Sequence, residues 1–162
     1  MIRPPMSPFD KMLCRLIYVQ KRPVIGKVAS MIVQAFGVYL PRVVPVGPGL
    51  CLPHATTGLV VNYRARIGSN VTIYHNVTLG RADGYNPIPD PPIPGFVIED
   101  DVVLCAGAVL LAGRDVELVI GRGAVVGANA VVTESIPPGE IWAGVPAKRI
   151  RMREDYEPAV AA

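Results

Sequence analysis

Hydrophobic residues in the first part of the chain return with the spacing of an α-helix. Ser7 and Pro8 suit the N-cap and first position of a helix over roughly 8–20, and a second helix is predicted over about 24–36, before Gly37. The apolar stripe of the first helix comprises Met12, Leu13, Leu16 and Ile17, and that of the second comprises Ile25, Val28, Ile32, Val33 and Phe36. Such stripes are typical of packing faces, so we expect these helices to cover one end of the fold.

From residue 38 onward, hydrophobic residues return every six positions instead. The inward series are Ile67, Ile73 and Leu79, then Ile98, Leu104 and Leu110, then Ile120, Val126 and Val132. A period of six fits neither an α-helix nor a simple strand, but it fits short strands joined by tight corners, with three sides in each coil. The predicted fold class is therefore all-β, a parallel β-helix with N-terminal α-helices and a short C-terminal tail.

Two interruptions break this period. Residues 81–95 hold five prolines without any six-residue rhythm, and ten residues instead of six separate Leu110 from Ile120. The first interruption predicts an extruded loop, and the second predicts a bulge around 114–117. We therefore divide the chain into an N-terminal helical segment over 1–37, a β-helix over 38–150 with a loop over 81–95, and a C-terminal tail over 151–162.

Charge is distributed unevenly, although the formal net charge is only +3. Residues 1–42 carry seven Lys and Arg against the single acid Asp10, a net charge of +6. This basic and apolar segment is interpreted either as two packing helices with a solvated face or as a peripheral contact of residues 1–36 with an anionic membrane. Nucleic acid is not an expected partner, because the rest of the chain is acidic and has few aromatic residues.

Composition also bounds the location of the protein. The chain is 51% hydrophobic, yet it has no uninterrupted apolar run of the roughly 18 residues that span a membrane. Three prolines within residues 1–8 stand where a signal peptide would need an apolar stretch. The three cysteines lie far apart and predict neither a disulfide framework nor a zinc site. We expect a cytoplasmic protein, either free or at the inner face of the membrane.

The only two histidines lie in residues 52–80. Leu52 and Ile73 look like equivalent inward positions, and His54 and His75 each follow one of them by two residues. Their separation of 21 equals one 18-residue coil plus three residues, which the segment 54–58 could absorb. Both imidazoles are then expected on one edge of adjacent coils, about 5 Å apart. A neutral imidazole near a hydroxyl is a suitable general base, although a corner histidine can also simply bond a backbone carbonyl.

Three stretches carry a resemblance to a known family: residues 37–62 (GVYLPRVVPVGPGLCLPHATTGLVVN), 67–80 (IGSNVTIYHNVTLG) and 136–150 (IPPGEIWAGVPAKRI). They resemble the left-handed β-helix, hexapeptide-repeat acyltransferases, in the branch of serine acetyltransferases and polysaccharide O-acetyltransferases. The resemblance implies a homotrimer with active sites between subunits, and direct attack of an acceptor hydroxyl on acetyl-CoA. His54 matches the catalytic base, and His75 and Asn62 match residues of the polysaccharide-modifying branch.

The same resemblance implies how acetyl-CoA, the acyl donor, is held. The matching small residues are Ala106, Gly107 and Ala128, with Gly80 and Lys148 as further candidates. The basic cluster Lys148, Arg149, Arg151 and Arg153 could meet the coenzyme's phosphates, or it could be a solvated face. Tyr85 or Phe96 could form a stacking surface for the acceptor, although both residue types also serve as packing. No metal is expected.

Departures from the family bear on the acceptor. Pro53 occupies the position of an Asp that holds the serine amino group, and residues 92–96 lack the family's Arg and His. The hypothesis is therefore O-acetylation of a sugar hydroxyl in a glycan, polysaccharide or glycolipid. Serine O-acetylation and a non-catalytic trimeric scaffold are the alternatives, while a zinc hydratase would need a third histidine.

A further departure concerns the acid that supports the histidine base. Tyr39 stands where the family has such an acid, so the carboxylate must come from elsewhere, or the base works unaided. Asp83, Asp90 or a neighbouring subunit are the sources considered.

Overall fold

The computed structural model describes residues 4–87 and 94–156. Two helices, α1 (Pro8–Val19) and α2 (Gly26–Ala35), lie within the two predicted helical segments. The strands that follow are β1 (Val38–Tyr39), β2 (Leu59–Val61), β3 (Ala65–Ile67), β4 (Thr72–Ile73), β5 (Thr78–Arg81), β6 (Phe96–Ile98), β7 (Val103–Leu104), β8 (Val109–Ala112), β9 (Leu118–Ile120), β10 (Val125–Val126), β11 (Val131–Val132), β12 (Glu140–Gly144) and β13 (Ala147–Met152).

The strands form three parallel sheets, which are the three sides of a coil. Sheet A has the order β1-β2-β5-β8-β11, sheet B has β3-β6-β9, and sheet C has β4-β7-β10-β12 with β13 added antiparallel at its end. All nine residues of the predicted inward series are buried, with at most 3% of any side chain exposed. The prediction of a parallel β-helix is confirmed.

The coils differ in length because extra residues enter at corners. Residues 113–117 lie between β8 and β9, and 113–116 are exposed, so this bulge leaves the coil from the corner between sheets A and B. The predicted loop leaves from the same corner one coil earlier, between β5 and β6. Its middle, residues 88–93, lies outside the described residues, and the division into domains stays a prediction.

Helix α1 covers the open end of the first coil. Its N-terminus has a complete capping box, in which Asp10 N–H donates to Ser7 Oγ and Ser7 N–H donates to the Asp10 carboxylate. Further along, the Tyr18 hydroxyl donates to Gly47 O at 2.7 Å, and Gln20 Nε2 donates to Leu40 O at 3.1 Å. These side chains bond first-coil carbonyls that a preceding coil would otherwise have bonded.

Helix α2 packs against the protein through its small residues. The apolar stripe that the sequence predicts as the packing face is therefore mostly exposed. Gly26, Ala29, Ser30 and Val33 are buried. The remaining members of the predicted stripe, Ile25, Val28, Ile32 and Phe36, are exposed. Close approach explains this orientation, because a Cβ on Gly26 would lie 2.2 Å from Gln20 O.

The other end of the β-helix is closed by the antiparallel pair β12 and β13. Arg153 Nη1 donates to Gly123 O at 2.7 Å and ties the residues after β13 to an earlier corner. Neither described helix combines the length and the apolar character that crossing a membrane requires.

Candidate active site

One corner of the β-helix brings the predicted site residues into a column. In the parallel ladders of sheet C, the paired residues are Cys51, Thr72, Val103 and Val125. The residues three positions after them are His54, His75, Ala106 and Ala128, which we call the corner column. Backbone bonds continue this pairing, since Gly107 N–H donates to His75 O and Asn129 N–H to Ala106 O. Successive coils therefore stack His75, Ala106 and Ala128 at about 4.8 Å spacing. In the first coil Asn76 N–H donates to Thr57 O, so His54 lies in the turn before the residue that continues this ladder.

The extra residues of the first coil form a turn around His54. The offset between paired residues is 21 at Cys51 and 18 at Val60, so three residues are absorbed between them, as predicted. The turn His54–Thr56, which we call the His54 turn, has φ angles of 60°, 59° and 32° at its three residues. Positive φ at three successive non-glycine residues is strained, and strain of this kind persists only where surrounding contacts impose it.

Several contacts hold the His54 turn in this conformation. Ala55 N–H donates to Asp10 Oδ1 at 2.7 Å, and the buried Thr56 hydroxyl donates to Pro53 O at 2.7 Å. The ring of His54 lies with its centroid 5.9 Å from that of Tyr74, while the residue itself stays exposed. Burial raises the pKa of Tyr74, so its phenol stays protonated beside the imidazole. The turn therefore holds the backbone in place and presents the imidazole to solvent.

Asp10 is the acid beside this histidine. It is 3% exposed, and its two oxygens accept from Ala55 N–H and from Ser7 N–H at 2.7 and 2.8 Å. Burial raises the pKa of Asp10, but hydrogen bonds from Ala55 and Ser7 and the charge of His54 outweigh burial, and the pKa lies below its ordinary 3.8. An ionised carboxylate thus links α1 to the His54 turn.

The sequence analysis did not identify Asp10. Two signals were available: Asp10 is the only acid of residues 1–42, and it stands three positions after the N-cap Ser7. Asp83, one of the three predicted sources of this acid, instead pairs with Arg81 at 3.0 Å and Arg114 at 3.2 Å. Asp90 lies outside the described residues.

His75 occupies its expected place in the corner column and is half-buried. Its backbone carbonyl accepts from Gly107 N–H at 3.0 Å, so the backbone at this corner is part of the coil ladder. The ring of His54 contacts the ring of Tyr74, the residue before His75. Direct proximity of the two imidazoles stays a prediction.

The candidates for coenzyme binding fall into two groups. Ala106 is half-buried and Ala128 is exposed, so small side chains line the corner column beyond the histidines. Gly107 is needed by the corner itself, because its φ is +71° and an added Cβ would lie 2.1 Å from Asn129 Oδ1. Gly80 lies in β5, where an added Cβ would meet only Thr78 Cγ2 at 3.7 Å. The fold therefore does not require glycine at position 80.

The C-terminal basic cluster is balanced by carboxylates. The ion pairs are Lys148–Glu134, Arg149–Glu140, Arg151–Glu154 and Arg153–Asp155, with N to O distances between 2.7 and 2.8 Å. Lys148 lies in β13 opposite Ala143. The pairs in which both side chains are exposed contribute little to stability, but each acid reduces the positive field that the basic run alone would produce.

The predicted acceptor residues lie at another edge of the β-helix. Asn62 Oδ1 accepts from Arg64 N–H at 2.9 Å in the corner between β2 and β3, and Tyr85, in the loop after β5, is 87% exposed. A strand of sheet A, such as β5 (Thr78–Arg81), separates that edge from the corner column by about 10 Å or more. Phe96 is fully buried, so its suggested stacking role is wrong and it packs in the core.

Cys14 and Cys51 are buried and Cys105 is half-buried. The three cysteines form no disulfide, and burial raises the pKa of Cys14 to about 11, which keeps this thiol protonated. Among residues 4–87 and 94–156, no three His, Cys, Asp or Glu side chains are grouped as metal ligands would be.

Sequence comparison finds relatives of this chain among serine acetyltransferases. Serine acetyltransferase 2 of Arabidopsis thaliana is 33% identical over 132 residues, which make up 82% of this chain and 38% of that protein. The serine acetyltransferase of Escherichia coli strain K12 is 36% identical over 115 residues, or 71% of this chain and 38% of that protein. The chain thus spans well under half the length of these relatives. No model of a protein family matches it.

Comparison with solved structures also finds serine acetyltransferases. Soybean serine acetyltransferase complexed with serine has a TM-score of 0.69 and 32% identity, covering 89% of this chain and 58% of that one. The Neisseria gonorrhoeae enzyme in complex with serine has a TM-score of 0.68 and 29% identity, covering 86% and 56%. The resemblance to hexapeptide-repeat acyltransferases and the left-handed β-helix fold class are confirmed.

Proposed function

We propose that the protein is an acetyl-CoA-dependent O-acetyltransferase in which His54 is the general base. The observation that carries this proposal is the His54 turn. The imidazole of His54 is exposed, and the backbone of its turn is strained and bonded to the buried carboxylate of Asp10. The adjacent corner is lined by small residues. Backbone strain that surrounding contacts impose is typical of functional sites.

The chemistry needs one proton carrier. A neutral imidazole at His54 takes the proton of the acceptor hydroxyl while the hydroxyl oxygen attacks the thioester carbonyl carbon. The carbon–sulfur bond then breaks, and the departing thiolate of coenzyme A receives the proton from the imidazolium. The products are the O-acetyl ester and free coenzyme A, and the histidine returns to its neutral form.

Acetyl-CoA is expected to lie along the corner column. Ala106, Gly107 and Ala128 leave room there, and Gly80 and Lys148 remain further candidates for contacts with the coenzyme. The predicted acceptor residues Asn62 and Tyr85 lie on a different edge, so one chain alone does not bring them to His54. A second copy that supplies that edge would complete the site, which supports the expected homotrimer.

Replacing Ala128 by tryptophan tests the coenzyme path. Because Ala128 is exposed, the fold should tolerate the larger side chain, while the indole would fill the space beside the column. We expect the KM for acetyl-CoA to rise at least about tenfold, with Ala128→Ser close to the wild type. Steady-state kinetics at saturating acceptor measure this change. An unchanged KM in the tryptophan variant would place the coenzyme elsewhere.

Serine is the acceptor that the comparisons support. The relatives are named serine acetyltransferases, and two of the solved neighbours are described as serine complexes. We therefore propose serine as the first acceptor to test.

A sugar hydroxyl, the acceptor of the glycan hypothesis, is the second candidate, and it becomes the leading one only if serine fails. The family's Asp for the serine ammonium is replaced by Pro53, and both oxygens of the neighbouring Asp10 are already engaged by backbone N–H groups. These observations leave the ammonium of serine without an evident partner near the His54 turn.

An acceptor assay decides between these functions. Release of free coenzyme A is followed with L-serine and with a panel of sugars and oligosaccharides, and products are identified by mass spectrometry. We expect turnover with serine, increased about tenfold or more in kcat/KM by Pro53→Asp, because a restored carboxylate would pair with the ammonium. Pro53→Asn, which is similar in size but uncharged, is the matched control. Turnover with a sugar alone would favour the second candidate, and no turnover with any acceptor would favour the scaffold alternative.

A further inference from the structure

An apolar surface on α2 and the residues that flank it faces outward. It comprises Val24, Ile25, Val28, Met31, Ile32 and Phe36, and we call it the helical patch. Val24, Met31 and Val28 are 85%, 71% and 61% exposed, respectively. The residues recur at helical spacing on one side of α2, opposite the small residues that pack on the protein. Contiguous exposed hydrophobic surface of this kind marks an interaction site.

The two-helix segment that carries the helical patch is positively charged at its surface. The exposed basic residues of the same two-helix segment are Lys11, Arg15, Lys21, Arg22 and Lys27. The only acid among residues 4–42 is Asp10, which is buried against the His54 turn. The exposed surface of this segment therefore carries positive charge without a carboxylate to balance it.

We propose that the helical patch docks on an anionic lipid bilayer. An apolar helix face with a basic rim is the arrangement by which helices lie in the membrane interface, with hydrophobic side chains among the acyl chains and cations at anionic headgroups. A second copy of this chain fits less well, because pairing two patches would bring two basic rims together. A soluble protein partner would need an acidic rim of its own.

Docking would set the orientation of the candidate active site. Helix α1 packs against α2 and holds the His54 turn through Asp10, so the helical patch and His54 lie at the same end of the β-helix. The bound protein would hold its β-helix away from the bilayer and its acetyl-transfer site close to the headgroups. The proposal concerns binding only, and it stands whether or not the acceptor is lipid-linked.

Vesicle sedimentation of the full chain tests this proposal. The probes are vesicles of phosphatidylcholine alone and vesicles with one third phosphatidylglycerol, at low and high salt. We expect binding to the anionic vesicles only, weakened at least about tenfold by 0.5 M salt. Arg15→Ala with Lys27→Ala should weaken binding about 25-fold, since each basic residue near the surface is worth about fivefold.

A double variant of the apolar side chains gives the sharper test. Val28→Asp with Met31→Asp should abolish binding to anionic vesicles, while Val116→Asp, at a 70% exposed position on the bulge, should bind like the wild type. Circular dichroism checks that each variant is folded. Wild-type protein that stays in the supernatant, or that binds both vesicle types equally, overturns the proposal. Self-association that the double variant loses, without vesicle binding by the wild type, overturns it in favour of a second copy.

Discussion

Replacing His54 by alanine is expected to reduce acetyl transfer by about 10²–10⁴-fold. The imidazole is the group placed to take the hydroxyl proton, and no other histidine shares its turn. Binding of acetyl-CoA should stay measurable, because the residues expected to hold it lie along the rest of the corner column. Release of coenzyme A measures the reaction, and isothermal titration measures coenzyme binding.

His75→Ala is the matched control for this variant, since it removes the only other imidazole from the next position of the corner column. We expect it to retain a larger part of the activity than His54→Ala. Alanine is compatible with position 54, because the neighbouring Ala55 has a φ of 59° and His54 itself has a φ of 60°. Thermal unfolding should therefore be similar in both variants. Full activity of folded His54→Ala would refute the role of this histidine as the base.

Replacing Asp10 by asparagine is expected to lower kcat about 10–100-fold, although Asp10 itself is not expected to contact the substrates. Asparagine offers one oxygen and one NH₂ group, so one of the two N–H donors, at Ala55 or Ser7, would face another donor. The turn that carries His54 would then relax from its strained conformation. Steady-state kinetics should show a fall in kcat with little change in the KM for acetyl-CoA.

Ser7→Ala separates helix capping from positioning of the turn. It removes the hydroxyl that accepts from Asp10 N–H but leaves the bond between Asp10 and Ala55 intact. We expect it to cost about 1 kcal/mol of stability and little activity. If both variants lose activity only in proportion to their stability, Asp10 has no role beyond the helix cap.

The pH dependence of stability gives an independent measure of Asp10. Because its pKa is lowered in the folded protein, it contributes stability that is fully present above the unfolded pKa and is lost as the pH falls through the folded pKa. The difference in unfolding free energy between wild type and Asp10→Asn should thus be constant near pH 7 and shrink below about pH 4. Denaturant titrations at pH 7 and pH 3 measure it. A difference that is unchanged at pH 3 would contradict the ionised state of Asp10.

Sequence periodicity predicted the β-helix and the corner column because that information is local. Each inward side chain repeats at a fixed interval, and the offset of 21 counted between Leu52 and Ile73 is the offset at which Cys51 pairs with Thr72. The three surplus residues could be assigned to segment 54–58 from the same count. Their positive φ angles could not, since neither alanine nor threonine signals that conformation.

Such patterns could not predict contacts between segments that are distant in the sequence. Asp10 and Ala55 are 45 positions apart, and no periodicity links a helix N-terminus to a corner of the first coil. The orientation of α2 was missed for another reason. A helix with small residues on one side and large apolar residues on the other offers two candidate packing faces, and only close approach at Gly26 decides between them.

The bonds from α1 to the first coil also bear on solubility. A coil whose backbone groups face solvent is a ready template for another strand, and a β-helix left open at one end could add further copies end to end. Tyr18 and Gln20 occupy some of those backbone groups with single side chains, which cannot continue a ladder. The side chains of Tyr18 and Gln20 thus oppose the end-to-end addition of further copies at this end of the β-helix.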